Sequence, residues 1–486
     1  MSYSKTIAAV SRIPNSMEIW WIGADGSVND AFWYDGASWQ TFQLAPPGSA
    51  SPNGGIAAVS RVPNSMEVWW IGPDGSVNDA FWYDGSSWQT FQLAPPGSAS
   101  PNGGIAAVSR IPNSMEVWWI GPDGSVNDAF WYDGNPWQRF QLAPPGSASP
   151  SGGISAVSRI SNSMEVWWIG PDGSVHDAFW YDGSSWQTFQ LAPPGSASSN
   201  GAITAVSRIP NSMEVWWIGA DNSVQDAYWY DGASWQRFQL APPGSASSNG
   251  GITAVSRIPN SMELWWVGGD GSVNDAFWYD GSSWQIFQLA PPGSASSNRG
   301  IAAVSRIPNS MEVWWIGADD SVQDAFWYDG SSWQRFQLYP ALPAPPPTQL
   351  DFDWNPIVFD SGVAVGGHAH LTIRNDGTFS FSGHFHDSGA LEYNMQLVWA
   401  VKDSRNIVYT FEHQGHVSGT FESGSRDDDW DNEGQNDAIR NNWPNIVAAW
   451  SWTAQAKANG DLTNLLNSII GGLGLVTGVI GIVVAV

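Results

Sequence analysis

Short β-branched and aromatic runs, broken by turn residues, recur along the first two thirds of the chain. The first group reads as four strands: "IAAVSR" (7–12), "MEIWWIG" (17–23), "SVNDAFWYD" (27–35) and "WQTFQLA" (39–45). "ADGS" around Asp25-Gly26 is a tight-hairpin signal, "RIPNSM" and "YDGAS" supply the other two turns, and "PPGSASPNGG" leads onward. Neighbouring strand residues point to opposite faces, so Trp20 takes one side of the sheet and Trp21 the other. Phe32 and Tyr34 share one face, with Trp33 opposite. Both faces are aromatic, so the sheet is expected to be covered on both sides.

This pattern is written seven times. Ile7, Ile56, Ile105, Ile154, Ile203, Ile252 and Ile301 open units spaced 49 residues apart, with no insertion or deletion. Four-stranded sheets stacked around an axis make a β-propeller. The expected fold is therefore all-β: a seven-bladed propeller over 1–339, followed by a small β-rich domain and a hydrophobic C-terminal helix. Antiparallel order puts "RIPNS" and "YDGAS" on one rim, and "ADGS" and "PPGSASPNGG" on the other. The chain starts on a first strand and ends on a fourth, so closure of the ring depends on packing blade 1 against blade 7. "YPALPAPPPTQL" gives a stiff Pro-rich linker at 340–350. A β-rich domain is expected over 351–442 and a helical region over 443–486.

Composition narrows the function. The 486 residues carry a net charge of −27, which excludes a nucleic-acid partner and opposes anionic lipid. There is no Cys, hence no disulfide and no thiolate metal site. "MSYSKTIAAVSR" does not read as a signal peptide, which leaves a cytoplasmic protein or one released by another route. No Gly-rich phosphate loop or Ser elbow is present, and a single active site needs asymmetric residues that identical units do not offer. No enzyme activity and no cofactor are expected.

The repeat "AVSRIPNSMEVWWIGPDGSVNDAFWYDG…W" resembles that of the PLL-type bacterial seven-bladed propeller lectins and, more loosely, the tectonin repeat. The resemblance covers residues 7–338. It implies binding of fucose or O-methylated sugars in pockets between adjacent blades. The near-identity of the seven copies implies seven nearly equal pockets.

A sugar pocket needs an aromatic face for the apolar side of the ring and a few polar groups for its hydroxyls. Candidates in the first unit are Arg12, Asn29, Asp30, Trp33, Tyr34 and Trp39, and in the second Arg61, Asn78, Asp79, Trp82 and Trp88. Arg110, Trp131, Arg159, Trp180, Arg208, Trp229, Arg257, Trp278, Arg306 and Trp327 continue the Arg and Trp series. The alternative for the Arg series is an ion pair with Glu or Asp that fixes a blade. Asp25 and Asp35 read as turn residues. Asp30, mid-strand among aromatics, is either paired with Arg or exposed in a pocket. The position of Asn29 also holds His176, Gln225 and Gln323, which suits an exposed polar site, and that of Thr41 holds Arg139 and Ile286, which requires an outer surface.

The remainder offers less. "HAHLTIRNDGTFSFSGHFH" is a hairpin that gathers His368, His370, His384 and His386 on one face. These are weak metal candidates against the plainer reading of a wet polar face. "DDDWDNEG" (427–434) reads as a solvated acidic turn. "LTNLLNSIIGGLGLVTGVIGIVVAV" (462–486) is uncharged and long enough as a helix to cross a bilayer. Membrane insertion, an oligomer stalk and a helix folded onto its own domain all fit it, with Gly471, Gly474 and Gly478 suited to close helix contact. The expected function is a multivalent glycan-binding protein, homo-oligomeric or membrane-inserting through its tail. The alternatives are a protein-binding scaffold and a lectin-targeted pore-forming toxin.

Overall fold

The computed structural model describes residues 6–340 and 347–460, with 462, 464, 465, 468, 469 and the backbone of 482–485 beyond them. The chain forms two compact units, Met1–Pro343 and Ala344–Val486.

The first unit is seven repeated four-stranded blades. Blade 1 comprises β1 (Ile7–Val10), β2 (Ser16–Ile22), β3 (Val28–Tyr34) and β4 (Gln40–Ala45), hydrogen-bonded in that order. The other six repeat these strands as β5 to β28, the last being Gln334–Tyr339. Asp25-Gly26 turns the central hairpin, with Gly26 at φ 74 and Gly23 N–H donating to the Ser27 carbonyl. Asp25 Oδ1 caps that turn by accepting from Ser27 N (3.0 Å).

The Trp pair separates as parity requires. Trp20 packs with Trp70 of blade 2, while Trp21 packs with Trp314 of blade 7. Every seam repeats this rule, so one blade's first Trp and the next blade's second Trp meet in each of seven apolar layers. Trp20 is wholly buried, as are its counterparts Trp69 and Trp118. Burial of a large apolar side chain contributes about 1.5–3 kcal/mol, so two tryptophans per seam make these layers the main cohesion of the ring. The innermost strands carry Ala and Ser, too small to fill the axis, and line a cavity of about 460 Å³.

The closing seam is built differently. At the other six, a connection serine carbonyl accepts from the second Trp, as in Trp70 Nε1 to Ser49 O (3.1 Å). Blade 7 has no onward connection of that kind, and Tyr339 packs on Trp21 instead, ring centroids 5.0 Å apart. Arg299 donates to the Pro52 carbonyl and pairs with Asp320 (3.4 Å), and Gly300 N–H donates to Thr6 Oγ1 (3.0 Å).

The second unit holds two four-stranded sheets. One is ordered β29 (Gln349–Val358), β30 (Val365–Arg374), β31 (Thr378–Asp387) and β34 (Asp427–Gln435). The other is ordered β35 (Ser451–Ala458), β32 (Tyr393–Lys402), β33 (Val408–Val417) and β36 (Ile482–Ala485). Leu371, Phe381, Phe385, Leu397, Trp399 and Phe411 fill the core between them. Helix α1 (Asp437–Ala448) buries Ile439, Trp443 and Ile446.

Three sequence expectations are corrected here. "DDDWDNEG" is strand β34 rather than a turn, because Trp430 points into the core and the acids alternate outward beside the histidines of β31. Residues 443–486 are not one helical region: β35 pairs with β32, and its small residues Ala454, Ala456 and Ala458 pack on the core at strand spacing. The tail does not run as one helix to its end, since 482–485 pair parallel with β33. Leu462, Leu465 and Ile469 pack against Val398, Ala400 and Val408, as a tail folded onto its own domain would. Gly471, Gly474 and Gly478 lie outside the described residues. Among the described residues no helix is long and apolar enough to cross a membrane.

Candidate binding sites at the blade seams

The candidate residues fall into three separate places. Strand polarity sends Arg12, Tyr34 and the preceding-turn Asn to one rim, and there they form a clamp across the seam. Arg12 Nη2 donates to Tyr34 OH (2.6 Å), and Nη1 donates to Asn64 of blade 2. The guanidinium lies over the Trp82 ring, 4.9 Å from its centroid, and beside Tyr34 at 5.2 Å. The same cation–π contact joins Arg61 to Trp131, Arg110 to Trp180, Arg159 to Trp229, Arg208 to Trp278 and Arg257 to Trp327. Arg306 closes the set on Trp33 and Asn15 of blade 1.

One seam departs from this. Ser161 stands where the other units have Pro (Val in none), and Arg110 takes the Ser161 carbonyl (2.9 Å) rather than an Asn side chain. The ion pair expected of the Arg series is absent: among the described residues none of the seven lies within ion-pair distance of a carboxylate, and aromatic faces take that place.

Asp30 and Asp79 are corrected as well. Neither is paired with Arg and both are fully buried, Asp79 at the floor of the groove between blades 1 and 2. Register explains why. Trp20 opposes Asp30 and Glu18 opposes Phe32, so Glu18, Trp20 and Asp30 share one face of the hairpin. Two carboxylates can hydrogen-bond to each other only if one is protonated. Burial, the larger cause, pushes Glu18 and Glu67 up to about 8, opposed by the hydrogen bond to the neighbouring Asp and by the positive Arg12 or Arg61. Asp30 and Asp79 are raised well above the ordinary carboxylate range, first by burial and then by the adjacent Glu. In blade 7 the Trp314 indole N–H also donates to Asp324, whereas the corresponding indoles of the other blades have no partner of good geometry. The Glu series, expected only as a partner for Arg, instead lies beside Asp30 through the hairpin register.

The third place is a groove on the opposite rim. It lies between one blade's "PPGS" connection and the next blade's "DG" turn and outer strand. At the seam of blades 1 and 2 it measures about 570 Å³ and is lined by Pro46, Gly48, Ser49, Trp70, Asp74, Asn78, Thr90, Phe91 and Gln92. The next three seams have grooves of about 770, 570 and 600 Å³. Asn78 Nδ2 donates to Ser76 Oγ (3.0 Å), and Ser76 N donates to Asp74 Oδ1 (2.9 Å). The Ser76 hydrogen bonds hold the exposed Asp74 carboxylate below its ordinary range, so it stays ionised.

Asn29 and Asn78 are half-buried to buried, not exposed as expected, because the serine two residues before anchors their amides. His176 replaces this amide in blade 4 and stacks on Trp168 at 5.7 Å. Thr41 and its counterparts are exposed, as expected, and Arg139, Thr188 and Arg237 line the grooves. Trp39 and Trp88 lie edge-on to Trp314 and Trp20 of the preceding blade, each at 6.0 Å.

No protein-family model and no curated protein sequence matches the chain. Among solved structures, the BP39L lectin from Burkholderia pseudomallei superposes with a TM-score of 0.65 at 21% identity, covering 70% of this chain and 99% of its own. The Aleuria aurantia lectin, a six-bladed β-propeller, matches with a TM-score of 0.46 at 19% identity over 61% of this chain and 99% of its own. SapL1 lectin in complex with α-methyl fucoside matches at 0.45 and 22% identity over 59% of this chain and 96% of its own. The first of these places the ring in the β-propeller fold.

Proposed function

We propose that the ring is a multivalent carbohydrate-binding module that holds one sugar in each connection-side groove. One observation carries the reading: a groove of about 570–770 Å³ that combines polar and apolar walls recurs at successive seams. That volume suits a small ligand. The ionised Asp74 offers charge-assisted hydrogen bonds to hydroxyl groups, Gln92 and Asn78 offer amides, and Phe91 offers an apolar surface. The solved propeller of the same fold is a lectin, which supports the class of ligand. The sequence resemblance favours fucosylated or O-methylated glycans. The "PPGS" connection that walls these grooves follows each of the first six units in the sequence, so six such sites are expected. Linked sites raise avidity about 10²–10⁴-fold on clustered glycans without any new contact.

The arginine clamp is the second reading. Six of the seven guanidinium Nε–H groups are buried without a partner, so a hydroxyl would find a donor there once the clamp opens.

The test is a glycan array, followed by calorimetric titration with methyl α-fucoside. Binding at about six sites per ring is expected. Replacing both Asn78 and Gln92 with Ala should remove one site and leave the others at unchanged affinity. No binding to any fucosylated or methylated glycan overturns the sugar assignment. A site lost from Arg12→Ala but not from the groove variant moves it to the clamp rim.

A further inference from the structure

In the second unit, one face of the sheet β29-β30-β31-β34 carries a separate arrangement of titratable groups. From edge to edge its strands present acid, His, His and acid: Asp353 opposes His370, His368 opposes His384, and His384 opposes Asp429. We propose that His384, His386 and Asp427 form a zinc site on this face, with Asp429 as its orienting partner.

The case rests on which nitrogen is available. His384 Nδ1 is 2.8 Å from Asp429 Oδ1. A carboxylate only accepts, so Nδ1 carries the proton and the Nε2 lone pair points away from Asp429. That lone pair faces Asp427, 3.7 Å from its Oδ1. Carboxylate–imidazole–metal is the arrangement that fixes the tautomer and raises the basicity of a metal-binding His. His386 Nδ1 approaches the same Asp427 oxygen at 2.6 Å. One donor atom from each of the three residues lies within 4.8 Å of the others. Zinc bonds of about 2.0–2.1 Å at tetrahedral angles set donors about 3.3 Å apart, so a small separation of His386 from Asp427 admits the ion. The ion then replaces the proton that His386 and Asp427 share, and that proton leaves to solvent.

Two other imidazoles of this unit are engaged. His370 has both nitrogens occupied, by Asp353 (2.7 Å) and Thr372 (3.0 Å). His413 is bound to Asp428 (2.9 Å) and stacked on Trp430 at 4.0 Å. Two imidazoles and one carboxylate favour zinc over calcium or magnesium, which prefer all-oxygen sites. Because His384, His386 and Asp427 are all partly exposed, water completes the coordination.

Full-length protein stripped with a chelator and titrated with zinc chloride should take up one ion per chain saturably. His384→Gln and Asp427→Asn should each weaken uptake about tenfold or more. Asp429→Asn should weaken it about 10–100-fold through the lost orienting contact. His370→Ala should leave it unchanged. Metal-free unfolding curves identical to the unsubstituted protein show that the variants remain folded. Absence of zinc uptake, wild-type affinity in His384→Gln or Asp427→Asn, or equal affinity for calcium overturns the proposal.

Discussion

At the scale of the residue, the buried Glu–Asp pairs set the response of the ring to pH. Each Glu has a folded pKa of about 8 against an ordinary value of 4.5. A raised carboxyl pKa means that the folded state holds protons the unfolded chain has lost. The stability this gives is fully present below pH 4.5 and is lost as pH rises through 8. The turn carboxylates such as Asp74 have lowered values, so their contribution is lost only below pH 3.8 and does not overlap. Seven pairs act in the same direction. The thermal midpoint, followed by Trp fluorescence, should fall from pH 5 to pH 8.5. Replacing all seven Glu with Gln should flatten that fall. A midpoint that rises over the interval contradicts the assignment of shared protons.

At the scale of the element, the hairpin of β2 and β3 shows what the chain's pattern could and could not reveal. The division of Trp20 from Trp21 follows from a period of two and nothing else, and the rims follow from antiparallel order. The state of Asp30 is not legible from its own strand, where an aromatic run follows it, because the group that decides it, Glu18, sits on the preceding strand. The Arg partners are hidden for a related reason: Trp82 and Asn64 come from the next blade, and a seam contact leaves no trace within one unit. In the second unit β35 lacks β-branched residues apart from Thr453, so its pairing to the buried β32 overrides a weak local preference.

The turn of this hairpin allows a direct test. Gly75 sits at φ 74, where an added Cβ would stand 2.5 Å from the Ala99 carbonyl oxygen. Blades 5 and 7 nevertheless hold Asn222 and Asp320 there, at φ 63 and 62. Gly75→Asn should therefore cost under about 1 kcal/mol, and the β-branched Gly75→Val about 2 kcal/mol or more. Equal denaturation midpoints for the two variants would show that backbone handedness does not limit the turn.

At the scale of the whole molecule, every blade presents one face built around its first Trp and an opposite face built around its second, and these fit each other at every seam. Such contact is heterologous: it joins the head of one copy to the tail of another and ends only when the rotation closes. The number of blades is thus written in the covalent chain rather than in the surfaces that meet. Arg299 and Tyr339 mark where the closure had to be finished without a connecting segment. A fragment of two units, residues 50–147, has the same two unmatched ends without the means to join them to each other. It should therefore polymerise into closed rings of several copies, measurable as oligomer mass in solution, and a Trp118→Asp change at one end should leave it dispersed. A fragment that stays monomeric and folded at every concentration would show that the seams need the tether to form.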